Sequence, residues 1–288
     1  MIFWGVVCGL GITALATGCA SLEAVNTTAG QLVSTASSWN SVAEEFAASC
    51  VRRNQVADVL STCASEKQAT AGLEAADKIL SAYFSALQQA STASNFSVDA
   101  GIAELSSSVD SIPQMNATQA QALGGLASFL ASAATQTLEQ RTIKFLISGG
   151  ASKAEAAIGV MEDFVVPQLT NAFAREKSQT LATFTSYIQQ SGSEVDLRQA
   201  DCASGLTARS FQTGTSYLLG LAYCARLTAL STKMSALESY KSSLEAAKAA
   251  LKNLETGKDN LSAKDLARQL ISQASSLKND VDKIRKAF

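Results

Sequence analysis

Residues 22–50 read LEAVNTTAGQLVSTASSWNSVAEEFAASC, and the spacing of their apolar side chains indicates the kind of fold to expect. Apolar or small residues recur in it at alternating steps of three and four, at Leu22, Val25, Ala29, Leu32, Ala36, Trp39, Ala43, Phe46 and Cys50. A heptad pattern of this kind is typical of a helix that packs along a partner helix. The stretch therefore predicts a long first helix in a bundle with coiled-coil-like packing.

The remainder of the chain also predicts helices. Only 2 of the 288 residues are proline, and period-two runs of β-branched or aromatic residues are nearly absent, so strands are not expected. Asn116 and Gln119 fit a capping box, and Gly149 and Gly150 are expected to end the helix that begins there. The predicted helices after the first cover about 66–90, a short piece of 95–116, and then 116–148, 152–190, 207–256 and 262–288. The sequence thus predicts an all-α fold, an elongated bundle of about six long helices.

The composition removes several kinds of chemistry. The chain has no histidine, which is the usual general base near neutral pH and the commonest metal ligand. Sites of the Ser-His-Asp or Cys-His kind are therefore impossible, although a site built from carboxylates alone remains open. The net charge of −2 gives no bulk attraction to nucleic acid. We expect a protein that is not an enzyme and that binds no metal, cofactor or nucleic acid.

The N-terminal segment has the pattern of an export signal. Residues 1–22 carry no charged side chain, and the apolar run from Ile2 to Leu15 has the length of a signal-peptide core. The run ends in Leu15-Ala16-Thr17-Gly18-Cys19, small residues before a cysteine. This motif resembles the lipobox of bacterial lipoproteins.

The resemblance implies a processing route and a location. Residues 1–18 would be removed as a signal peptide, and Cys19 would carry fatty acyl chains such as palmitate that hold residues 19–288, one helical-bundle domain, to a membrane. In enteric-type sorting, the absence of aspartate after the cysteine favours the outer membrane, with the protein on its periplasmic or its outer face. An uncleaved anchor is the alternative, because 22 uncharged residues are also long enough to span a bilayer.

The remaining cysteines predict two disulfides. Of the 6 cysteines, Cys8 lies in the apolar run and Cys19 takes lipid, which leaves Cys50, Cys63, Cys202 and Cys224. An even remainder in an exported protein is typical of disulfide pairing, and four cysteines allow three connectivities. We favour the local pairing, Cys50–Cys63 with Cys202–Cys224.

Each favoured pair requires a bend between its cysteines. Thirteen residues of straight helix would separate two Cα atoms by about 20 Å, which is beyond disulfide reach. The chain is therefore expected to turn near residues 52–55 between the first pair. Gly205 or Gly214 is expected to break the helix between the second pair.

An uncharged window between Asp110 and Glu139 has two interpretations. Its centre, residues 122–134, is apolar and small, which favours a central helix buried on all sides. Together with the apolar run 143–166, it also resembles in outline the concealed membrane hairpin of helical pore-forming toxins. The second interpretation predicts a membrane-active protein that inserts the 124–166 region.

The charged pairs favour no site. Adjacent residues on a helix point about 100° apart, so Glu44-Glu45 and Glu162-Asp163 do not converge as dyads, and with Arg52-Arg53 they are interpreted as surface charges. The best functional prediction is an envelope lipoprotein with a scaffolding or interaction role and a protein partner. The alternatives are the membrane-active protein and a small-ligand carrier, which would need a pocket between helices.

Overall fold

The fold of the described residues is an all-α bundle, as the sequence predicts. A computed structural model describes residues 13–92, 96–99, 101–110, 112–113, 115–136, 142–199, 202, 211, 213–261 and 263–288, without the side chains of residues 13–21, 103, 106 and 110. Six long helices and one short helix follow each other: α1 Thr13–Ala57, α2 Ala64–Thr92, α3 Ile102–Asp110, α4 Ala117–Ala134, α5 Ile143–Gln190, α6 Gly214–Gly257 and α7 Lys264–Ala287. A 3-10 turn, Leu197–Gln199, lies between α5 and α6.

Helix α1 follows the heptad pattern of its sequence. Every heptad position from Val25 to Cys50 is buried, and only Leu22 at the start is exposed. A second row of small residues, Thr28, Thr35, Val42 and Ser49, is fully buried beside the first. α1 therefore buries a wide face against its neighbours, whereas the coiled-coil geometry of the packing stays a prediction.

Side-chain contacts between helices fix their directions. α1, α5 and α7 run one way, and α2 and α6 run the other. The pairs that set these directions are Asn26–Ser91 and Thr70–Ala43 for α1 with α2, Thr28–Leu270 and Ser34–Arg285 for α1 with α7, Trp39–Ser243 and Glu45–Lys233 for α1 with α6, and, for α5 with α6, Glu162–Lys248 together with Lys144–Asp259, where Asp259 lies two residues past the end of α6.

These directions give the molecule two distinct ends. At one end α1 begins, α5 begins and α6 finishes; we call it the anchor end, because Cys19 lies in this part of α1. At the other end α1 reaches Ala57, α5 reaches Gln190 and α6 begins; we call it the distal end. α5 has 48 residues, which at about 1.5 Å per residue gives a rod of roughly 70 Å.

The predicted helix break at Gly149 and Gly150 is wrong. Both glycines lie inside α5, and the break falls earlier, between Ala134 at the end of α4 and Ile143. A Cβ on Gly150 would clash with the Tyr83 ring and would lie 2.7 Å from the Phe129 ring. The glycines therefore serve close packing of aromatic rings against the helix backbone, and a helix interior held by such packing tolerates them.

The predicted capping box at the start of α4 is confirmed. The Asn116 side chain accepts from the Gln119 backbone N–H, and the Gln119 side chain accepts from the Asn116 backbone N–H. α4 is not buried on all sides, however. Leu123, Leu126, Ala127, Leu130 and Ala133 face the core, while Ser128 and others are exposed, so the central position predicted for this helix is wrong.

The first bend lies a few residues later than predicted, whereas α6 begins at Gly214, one of the two predicted breakers. α1 continues past residues 52–55 to Ala57, and Asp58 then takes a left-handed conformation with φ of 52°. The Val59 N–H donates to the Asn54 carbonyl at 3.1 Å, which is the six-to-one bond of a Schellman cap. α6 begins at Gly214 behind a capping box of Thr213 and Ser216; the other suggested breaker, Gly205, and the predicted start near residue 207 lie outside the described residues.

Candidate functional site at the distal end

The side chain of Cys19, the predicted lipid site, lies outside the described part of the structure. The backbone at Cys19 belongs to α1, while residues 1–12 of the predicted signal peptide are outside the described part of the chain. Ala24 and Val25, the first buried residues among the described side chains, follow five and six positions later on the same unbroken helix. Lipid on Cys19 would therefore connect directly to the packed bundle without a loop between them.

Both predicted disulfides are present, and both lie at the distal end. Cys50–Cys63 joins the last turns of α1 to the start of α2, with a Cα–Cα distance of 6.0 Å. Cys202–Cys224 joins the connection between α5 and α6 to the first turns of α6, with a Cα–Cα distance of 5.1 Å. Each closed loop contributes about 3 kcal/mol on the loop-entropy model. The two bridges thus stabilise the end of the molecule that is farthest from Cys19.

Exposed apolar side chains concentrate in the same half. Among the described residues nine large hydrophobic side chains are exposed, and seven of these belong to the distal half: Val51, Val59, Leu60, Tyr187, Leu218, Leu221 and Met234. Leu218 is 66% exposed, and Leu60 is fully exposed in the turn closed by the first disulfide. Contiguous apolar patches are typical of interaction surfaces, and this uneven distribution favours the distal half as the place for one.

A small second core holds the distal end together. Phe184 and Ile188 of α5 pack there with Tyr223 and Cys224 of α6 and with Leu197 of the connection. A groove of about 850 Å³ opens between the two helices near this core, lined by Leu227, Leu230, Met234 and Leu237 with Lys177 and Glu238 at its rim. α5 and α6 are therefore held together at the distal end by contacts between their own side chains, and apolar side chains line the groove between them.

Charged residues join three helices just below this end. The Arg52 guanidinium donates from Nε to Glu176 Oε1 at 2.7 Å and from Nη2 to Glu176 Oε2 at 2.9 Å, and it also donates to Glu45. Lys233 Nζ donates to the other Glu45 oxygen at 2.7 Å, and the Ser49 hydroxyl donates to Glu176 at 2.9 Å. The cluster has two positive and two negative side chains, so its charges balance across α1, α5 and α6.

Burial changes the interpretation of Glu45. The side chains of Glu45 and Glu176 are 5% and 3% exposed, so the prediction that Glu45 is a surface charge is wrong. Burial alone would lower the pKa of Arg52, but the hydrogen bonds and charges of Glu176 and Glu45 outweigh it and raise that pKa. Arg52 therefore stays charged, and the cluster fixes how α5 and α6 meet α1 where the distal end begins.

Sequence reasoning missed this cluster because its members are far apart in the chain. Arg52 and Glu176 are 124 positions apart, and Glu45 and Lys233 are 188 apart. One local signal was present: Glu45 and Ser49 follow the buried row Thr28, Thr35 and Val42 on α1. A polar side chain beside such a row is expected to find a buried partner.

Two further findings concern chemistry and membranes. Within the described ranges, no group of three or more Cys, Asp or Glu side chains could hold a metal ion, and the prediction of a protein without metal stays a prediction. In that same part of the chain, no helix combines the length and the apolar character that a membrane span needs.

No protein-family model matches the chain, and no curated protein and no solved structure matches it either.

Proposed function

We propose that this protein is a bacterial envelope lipoprotein with a non-enzymatic scaffolding or interaction role. Acyl chains on Cys19 hold one end of the bundle to the membrane, and the distal end meets a protein partner. The outer membrane is the proposed location, because Ala20 and not aspartate follows Cys19.

One observation carries the proposal: Cys19 lies near one end of the bundle, whereas the disulfides and most of the exposed apolar side chains lie toward the other end. Cys19 and Ala57 are 38 positions apart on one continuous helix, or about 57 Å at 1.5 Å per residue. Cys50 of the first disulfide is 31 positions from Cys19, about 47 Å along the same helix, and the second disulfide and most of the exposed apolar side chains also belong to the distal half. A rigid rod with an anchor at one end and an apolar surface at the other supports a role in holding a partner away from the membrane.

Site-specific photo-crosslinking in the native host tests this proposal. A photoreactive phenylalanine analogue at Leu218, in the distal half, is expected to give one discrete adduct with an envelope protein. The matched control is Ile271, which is 51% exposed on α7 near the anchor end. The same adducts from both positions, or none from Leu218, would contradict a distal partner surface.

A further inference from the structure

We propose that a cleft between α1, α2 and α5 binds a small organic carboxylate between Arg53 and Arg175. This inference does not rest on the envelope role proposed above, since it concerns a different surface and a soluble ligand. It gives the small-ligand carrier, one of the alternatives predicted from the sequence, a specific place in the molecule.

The cleft is a cavity of about 110 Å³ with a mixed lining. The side chains of Phe46 and Phe164, whose rings stack with centroids 6.2 Å apart, form its apolar wall together with Ala69. Arg53 and Arg175 line the cleft and also line an open outer groove of about 830 Å³ that continues from it. A ligand can therefore enter along the groove and place one end between the two guanidinium groups.

Arg53 has unused hydrogen-bonding capacity. Its Nε is buried and has no hydrogen-bond partner within the described part of the chain. Its one ion pair there is long, from Nη2 to Glu66 Oε1 at 3.4 Å. The neighbouring Arg52 differs, because three of its hydrogen bonds to carboxylates are formed inside the buried cluster. A buried guanidinium N–H without an acceptor is unfavourable, so an added oxyanion there is expected to stabilise the cleft.

Arg175 supplies a second guanidinium to the lining of the cleft. Its Nε donates to the Asn171 carbonyl of the same helix at 3.3 Å, and no carboxylate lies within ion-pair distance of it among the described residues. The terminal nitrogens of Arg175 are therefore available to an incoming anion. Two arginines facing one cavity match the two oxygens of a carboxylate.

The charge balance favours a carboxylate over a phosphate. Arg53 and Arg175 contribute two positive charges, and Glu66 at the same cleft contributes one negative charge. The net of one positive charge suits a monoanion better than a phosphate with nearly two negative charges near neutral pH. The wall formed by Phe46 and Phe164 favours an apolar substituent beside the carboxylate.

Isothermal titration calorimetry on the full-length protein in non-ionic detergent tests the site with sodium benzoate as probe. We expect measurable benzoate binding and at least about tenfold weaker binding by Arg175→Gln, because a charge-assisted hydrogen bond is lost. Arg175 is exposed, so this variant is expected to fold. Glu66→Gln is expected to strengthen binding, since it removes the carboxylate that competes for Arg53.

The controls separate the site from general charge and apolar effects. Lys177→Gln removes an exposed cation two positions along α5 that lines the other groove, so it should bind benzoate like the wild type. Benzamide, the uncharged analogue, should not bind. The proposal is overturned if benzoate fails to bind, if benzamide or inorganic phosphate binds as tightly, or if Lys177→Gln and Arg175→Gln lose affinity equally.

Discussion

The side chain of Asp77 lies in the main core without a compensating partner. It is 3% exposed, and neither carboxyl oxygen has a hydrogen-bond partner within the described part of the chain. Burial raises the pKa of this carboxyl well above its ordinary value, and the nearby charge of Glu74 raises it further. The folded protein therefore holds Asp77 in its neutral form at pH values where an unfolded chain would ionise it.

Asp77→Asn is expected to be more stable than the wild type at neutral pH. Because the folded pKa lies above the unfolded value near 4, wild-type stability falls as the pH rises from that value toward the folded pKa, by up to about 1.4 kcal/mol per pH unit. The asparagine variant has no proton to lose, so its advantage should grow with pH and vanish below about pH 4. Denaturant unfolding across this range measures the difference.

Asp163→Asn provides the control for this comparison. Asp163 is exposed on α5, so removing its charge should leave the pH dependence of unfolding close to that of the wild type. If Asp77→Asn and the wild type show parallel stability curves between pH 4 and pH 8, Asp77 does not titrate as a buried neutral acid.

Helix α5 contains glycines that lower its helix propensity but allow aromatic rings to pack closely against it. Gly149 and Gly150 weaken an isolated helix, but Phe129 and Tyr83 press against the backbone where side chains would otherwise stand. Gly159, on the same helix, has open space around it. Substitution by alanine is therefore expected to have opposite effects on stability at Gly150 and at Gly159.

Gly150→Ala is expected to destabilise the protein, whereas Gly159→Ala should stabilise it. An alanine Cβ at position 150 would meet two rings, and such overpacking costs about 1–3 kcal/mol, more than the gain of about 1 kcal/mol in helix propensity. At Gly159 the gain in propensity is not opposed. Thermal unfolding of both variants measures the difference, and an equal rise in Tm for both would show that no ring contacts Gly150.

Helix α4 separates the scaffold interpretation from the membrane-active one. Ala127 is fully buried, while the next residue, Ser128, is exposed. Ala127→Asp should bury an unpaired carboxylate, cost several kcal/mol and lower the Tm markedly, whereas Ser128→Asp should have little effect. Liposome leakage by the wild type, absent from Ala127→Asp while both remain folded, would instead support insertion of the 124–166 region.

The sequence predicts what depends on neighbours within a turn or two. The heptads of α1 and the capping box at Asn116 are local patterns, and both predict their structure correctly. The roles of Gly150 and Glu45 depend on Tyr83 and Lys233, which come from other helices. Nothing in the neighbouring sequence specifies those contacts, so the predicted helix break and the predicted surface charge were wrong.

For the candidate site too, the sequence predicts the local features but not how distant segments come together. Pairing of Cys50 with Cys63 and of Cys202 with Cys224 follows from counting and from short loops, and it is correct. That the two bridges share one end of the rod depends on the directions of α1, α5 and α6. A count of cysteines carries no information about those directions.

The two ends of the whole molecule carry different features. Cys19 lies at the start of α1, the main core fills the middle, and both disulfides brace the far end. The buried cluster of Arg52, Glu176, Glu45 and Lys233 holds α1, α5 and α6 together where that far end begins. All proposals about a distal partner depend on the chain being attached at Cys19.

Mass spectrometry of the N-terminal peptide, from protein extracted from native membranes, tests that attachment most directly. We predict a peptide that begins at Cys19 and carries the mass of a diacylglyceryl group and an amide-linked acyl chain, and we predict that Cys19→Ser loses both the lipid and the cleavage. A peptide that begins at Met1, or an unmodified Cys19 at the mature N-terminus, would contradict the account.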